Sequence, residues 1–142
     1  MAGHSARGLL LVLLVAAFGG PACAQSADAF RSPSGNIFCQ AIETENGPFL
    51  RCDIRQISNR PPPRPRSCDL DYGQAFEISA KGDRGVRLCY GDTVANEGFA
   101  ALAYGATWQR YGFTCTSATS GVRCVNARGH GFELSRAEQK VF

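Results

Sequence analysis

Apolar residues in this chain recur at every second position in short runs, and each run stops at a turn. Ile37-Phe38-Cys39 is followed by Leu50-Arg51-Cys52, and Phe113-Thr114-Cys115 by Val122-Arg123-Cys124. An apolar residue stands two positions before each of these cysteines, so on a strand the two share a face. Arginine precedes the second cysteine of each pair and points to the other face. Glu45-Asn46-Gly47-Pro48 and Thr119-Ser120-Gly121 supply the turns between the runs. The pattern predicts two antiparallel hairpins, each stapled across its strands, and suggests a weak internal repeat.

The remaining pattern predicts more short elements. Ala75 to Ala80 alternates imperfectly and Val86 to Tyr90 cleanly, with Lys81-Gly82-Asp83-Arg84-Gly85 as the turn of a third hairpin. Asn96 to Tyr104 reads as either a helical turn or a loop. Gly131 to Leu134 reads as a last strand. Ser135-Arg136-Ala137-Glu138 fits a capping box, which predicts a short C-terminal helix through about Val141. Sixteen glycines and seven prolines suit many turns and few long helices.

The first residues belong to a different kind of segment. Gly8 to Phe18 is an apolar stretch preceded by Arg7, too short for a membrane span of about 20 helical residues. Ala22-Cys23-Ala24 then fits the small-x-small pattern of a signal-peptidase site. The expectation is a secretory leader over 1–24, cut after Ala24, and a single mature domain over 25–142. The minor alternative, a lipidated Cys23, lacks the usual apolar residue three positions earlier, where Gly20 stands. No later run is long or apolar enough to predict a transmembrane segment.

Loss of the leader removes Cys23 from seven cysteines and His4 from two histidines, so six cysteines remain and His130 stands alone. It also removes Arg7 from a chain of formal charge +3, and the mild balance that remains does not call for nucleic acid. An even cysteine count in an exported chain means disulfides before metal or catalysis. Six cysteines allow many pairings. The hairpin pattern favours Cys39–Cys52 and Cys115–Cys124, which leaves Cys68–Cys89. The expected compartment is the periplasm or the outside of the cell.

Candidate chemistry is sparse. Arg55, Arg60, Arg64 and Arg66 stand in a proline-rich stretch without an acid (RQISNRPPPRPR). It reads as a stiff polyproline connector, or as a preformed basic arm for an anionic envelope component. Tyr104, Trp108 and the aromatic and glycine residues around His130 are a second candidate surface, with core packing of Trp108 as the competing reading. His130, with Asp92 or Glu133 as carboxylate and Ser135 or Thr93 as nucleophile, is the minimal set for a small hydrolase. No nucleophile elbow, phosphate loop or calcium loop occurs. With bridged cysteines and one histidine, neither a cofactor nor a metal site is expected.

A family resemblance rests on an ordered set of strings. Ser32-Pro33-Ser34-Gly35-Asn36-Ile37-Phe38-Cys39 comes first, then Cys52-Asp53-Ile54, the prolines before Cys68, and Cys89 through Gly91-Asp92-Thr93. Leu102-Ala103-Tyr104-Gly105, Trp108, Gly112-Phe113-Thr114-Cys115, Gly121-Val122-Arg123-Cys124 and Gly129-His130-Gly131-Phe132-Glu133-Leu134-Ser135-Arg136 follow. The set covers about residues 32–142 and resembles the DUF6636 type of small exported bacterial domains. That resemblance implies secretion and a compact cysteine-bridged domain. It implies no assigned activity and carries over no catalytic residue.

The reading is therefore a mainly β domain of short antiparallel hairpins with three disulfides. Its expected role is a monomeric, non-enzymatic binding module acting on an envelope component or a secreted protein. The alternatives are an inhibitor of a secreted enzyme and a hydrolase centred on His130.

Overall fold

The computed structural model describes Met1, Gly3 and residues 27–142. The leader, its cut after Ala24 and the lipidation alternative at Cys23 otherwise lie outside the described residues.

Alternating apolar positions form ten strands: β1 (Ala29–Arg31), β2 (Ile37–Ile42), β3 (Phe49–Ile54), β4 (Asp71–Ser79), β5 (Val86–Tyr90), β6 (Thr107–Arg110), β7 (Phe113–Ala118), β8 (Gly121–Val125), β9 (Gly131–Leu134) and β10 (Gln139–Val141). They make two five-stranded antiparallel meanders, β1 to β5 and β6 to β10, each in sequence order. The inner faces of the two sheets share one core, to which both contribute buried residues. All three expected bridges are present, Cys39–Cys52, Cys68–Cys89 and Cys115–Cys124.

The repeat suggested by the cysteine hairpins extends across both sheets. One row of neighbours in the first sheet reads Phe30, Cys39, Cys52, Phe76. The matching row in the second reads Trp108, Cys115, Cys124, Phe132. The next inward row pairs Leu50 with Ile78 in one sheet and Val122 with Leu134 in the other. On the outer faces Arg51 opposes Glu77, as Arg123 opposes Glu133.

Like then meets like between the sheets. Phe30 packs on Trp108 with ring centroids 5.1 Å apart, and Phe76 on Phe132 at 6.1 Å. These tilted aromatic pairs add to the burial of their rings. Such self-pairing is the signature of an isologous interface, here formed within one chain.

The outer face of the first sheet is covered as well. Residues 91–106 leave β5, cross that face and reach β1, where the Arg31 amide donates to Ala100 O and the Leu102 amide donates to Arg31 O. Asp53 points away from the core, yet it is 4% exposed. Its carboxylate accepts bonds from Arg51, the Thr93 hydroxyl and the Val94 amide. Phe38, also outward, is fully buried under the Arg55 guanidinium 4.5 Å above its ring.

The C-terminal helix expected from Ser135 to Val141 is not formed. Ser135 Oγ does accept the Glu138 amide, as a cap would, but Ser135 N donates to Glu138 O. That second bond closes a hairpin, and Gln139 to Val141 pair with β9 as β10. A Ser-x-x-Glu signature satisfies a tight turn as readily as a first helical turn, and the open edge of β9 decides the outcome. Asn96 to Tyr104 is loop, with one parallel bridge between Ala101 and Arg31.

Backbone contact explains two glycines. A Cβ on Gly131 would lie 1.9 Å from Cys124 O, and one on Gly85 would lie 2.0 Å from Gly131 O. Only glycine lets the start of β5 approach β9 this closely.

Candidate binding cleft

Three turns gather at one end of the molecule. In the first, between β1 and β2, Ser32 Oγ accepts the amides of Asn36 and Ile37. Asn36 then holds the chain beyond β3: its Nδ2 donates to Gln56 O at 3.0 Å, and its Oδ1 accepts the Gln56 amide at 2.9 Å. This reciprocal pair sets Arg55 and Gln56 beside the turn. The second turn, Thr119-Ser120-Gly121, joins β7 to β8. The third, around Arg136, joins β9 to β10 and is tied in place by Ser58, whose amide donates to Arg136 O at 2.7 Å.

Between these turns lies an open cleft of about 410 Å³ lined by Arg55, Arg136, Tyr104 and the hydroxyls of Ser34, Thr119 and Ser120, among others. Among the described residues no carboxylate lines it. Arg55 is ion-paired with Glu97, which stands outside the lining. Arg136 donates to the neutral Gln56 Oε1 at 2.7 Å and has no carboxylate partner among the described residues. A cleft of about 280 Å³ adjoins along Ser120, Gly121 and Ser135 and carries both signs of charge, Arg123 and Lys140 with Glu133 and Glu138.

The arginines expected to act as one arm are dispersed. Arg55 leaves the arm to cover Phe38. Arg60 and Arg66 are exposed, while Arg64 donates to Leu70 O at 3.1 Å. Pro61 lies over Gly73 on β4, and the Cys68–Cys89 bridge ties the far end of the arm to β5.

Tyr104 is 49% exposed and faces the cleft, whereas Trp108 is 7% exposed. The Trp108 indole donates to Ala27 O at 2.9 Å. His130 sits in the β8–β9 turn, its amide bonded to Asn126 Oδ1 and its carbonyl to the Asn126 amide. It lines neither of these two clefts.

Sequence reasoning missed Arg136, which it read as part of a helix, and Arg51. Two opposed effects act on Arg51: burial lowers its pKa, but hydrogen bonds to Asp53 and Asp92 outweigh this and raise it. The sulfurs of Cys39, Cys52 and Cys124 lie close enough together for a shared ligand. All three are bonded as disulfides, and a bridged sulfur offers no thiolate to a metal.

These features define a small disulfide-stapled protein of two packed β-meanders, with its polar cleft at the turns of one end. The chain belongs to a family of unknown function, DUF6636, whose model matches residues 9–142. No curated protein and no solved structure matches it. No helix among the described residues is long and apolar enough to cross a membrane.

Proposed function

We propose that the protein is a non-enzymatic binding module of an oxidising compartment, and that its end cleft receives an acidic saccharide of the cell envelope. The observation that carries this reading is the convergence of Arg55, Arg136 and Tyr104 on a hydroxyl-lined cleft without a carboxylate of its own. A guanidinium fork matches a carboxylate, a tyrosine ring offers a face to a sugar, and the hydroxyls suit its ring substituents. Three intramolecular disulfides are consistent with the periplasm or the cell exterior. The position of His130 within a backbone turn, away from the clefts, favours binding over hydrolysis.

The test is binding of the oxidised protein to oligomers of a uronic acid and to the same oligomers reduced to neutral sugars. Arg136→Ser and Tyr104→Ala should each weaken binding to the acidic oligomers about tenfold. Equal affinity for the neutral oligomers, or no effect of either substitution, would remove this reading.

A further inference from the structure

Another groove lies between the outer strands of the two sheets, with a volume of about 620 Å³. Val86 on β5, Val141 on β10 and Phe142 beyond it give it an apolar floor. Arg84, Arg87 and Lys140 also line it, and among the described residues no Asp or Glu does.

Arg87 is the informative residue. Its guanidinium donates to Gly73 O at 2.6 Å and to Gln139 O at 3.3 Å, and lies 4.7 Å from the centre of the Phe76 ring. These partners are all neutral, and no carboxylate is paired with Arg87 among the described residues. Burial lowers its pKa, opposed only by nearby Tyr72. A partly buried cation without a counter-charge is stabilised by an arriving anion. Gln139 beside it is 8% exposed and uses its amide NH2 on Asn59 Oδ1 and Ser135 O. Its Oε1 finds no donor among the described residues.

We propose that this groove binds a fatty acid, its carboxylate held by Arg87 and Arg84 and its chain laid over Val86, Val141 and Phe142. Charge and shape of lining together select this occupant. A sugar acid would answer the cations but leave the apolar floor in water. A neutral lipid would cover the floor but leave Arg87 without its counter-charge. The guanidinium fork of Arg87 suits a carboxylate bidentately.

The test uses dodecanoate below its micelle concentration, titrated into the oxidised full chain and followed by amide chemical shifts. The expected result is saturable binding that moves the signals of residues 85–87 and 139–142, about tenfold tighter than that of dodecanol. Arg84 and Val86 are exposed, so their substitution spares the core. Arg84→Ser and Val86→Asp should each weaken dodecanoate at least severalfold. Arg87→Lys keeps the charge but loses the fork and should weaken it as well. Equal binding of dodecanol, shifts confined to the end cleft, no saturable binding, or parental affinity in both exposed variants would each overturn the proposal.

Discussion

Cys52 Sγ lies 4.0 Å from Cys124 Sγ across the interface between the two sheets, although each is bonded to a different cysteine. Neither sulfur carries a hydrogen, so the approach is a dispersion contact between two bridges. All four half-cystines involved are fully buried. The centre of the molecule is thus made of sulfur, with aromatic pairs on either side.

Burial predicts the order of reduction. Cys89 is exposed, whereas Cys39, Cys52, Cys115 and Cys124 have no accessible surface. Thiol–disulfide exchange needs access of the attacking thiolate to sulfur. Mild reductant under native conditions, followed by alkylation and mass spectrometry, should label Cys68 and Cys89 first. The other four should become reactive only with denaturant. Early labelling of Cys115 or Cys124 would contradict the buried centre.

The contact between bridges predicts non-additivity. Replacing Cys39 and Cys52 by Ala, or Cys115 and Cys124 by Ala, should each cost about 2–4 kcal/mol in urea unfolding. Removing both bridges should cost about 1 kcal/mol less than the sum, because the contact is lost only once. Strict additivity would mean that the two bridges do not support each other.

Asn126 uses its whole side chain to join the two sheets. Its Nδ2 donates to Ser79 O and Gly82 O on the first sheet's turn, and its Oδ1 accepts the amides of Arg128 and His130. Asn126→Ala removes one bond from each of four backbone groups, of which Ser79 O keeps the Gly82 amide, and should destabilise by about 3 kcal/mol. Thermal or urea unfolding measures this, and a loss under 1 kcal/mol would show that water takes over the role.

Ser117 offers the opposite case. It occupies the place in β7 that Ala41 holds in β2, opposite Val122 as Ala41 is opposite Leu50. Its hydroxyl is buried and finds no hydrogen-bond partner among the described residues. Ser117→Ala, which copies the other half, should raise stability by about 1 kcal/mol. A loss of stability would point to a bridging water at that hydroxyl.

Glu77 gives a pH dependence. Burial raises its pKa, and Arg51 only partly offsets this. A carboxyl whose pKa is raised by folding supports the fold fully below its unfolded value, and that support fades as pH rises through the folded value. Glu77→Gln should therefore be more favourable to stability at pH 7 than at pH 3. The difference in melting temperature between variant and parent, followed across that range, checks the sign.

Much of the fold was legible because cysteine and its apolar partner two residues earlier mark the inward face. Ile37, Leu50, Phe113 and Val122 predict the two core bridges without any tertiary information. The three-residue strands β1 and β10 are too short for alternation to register, and Ser135 with Glu138 reads equally as a cap or a turn. The binding cleft was half legible. Arg55 and Tyr104 stand out by residue type. That they meet Arg136, Thr119 and Ser120 depends on which end of the sheets each turn occupies, and no local pattern carries that. The basic arm was misleading as a unit, since Phe38 draws Arg55 away from the other arginines.

Residues 91–106 do more than cover Asp53 and Phe38. Because each half presents nearly the same inner face, the half of a neighbouring chain offers a competing surface for the interface. This connection tethers the correct half, raising its effective concentration above that of any half in solution. Bonds to Asp53 and Arg31 hold the tether down along its length. If the tether were cut or much lengthened, the same interface would become a route to domain-swapped dimers.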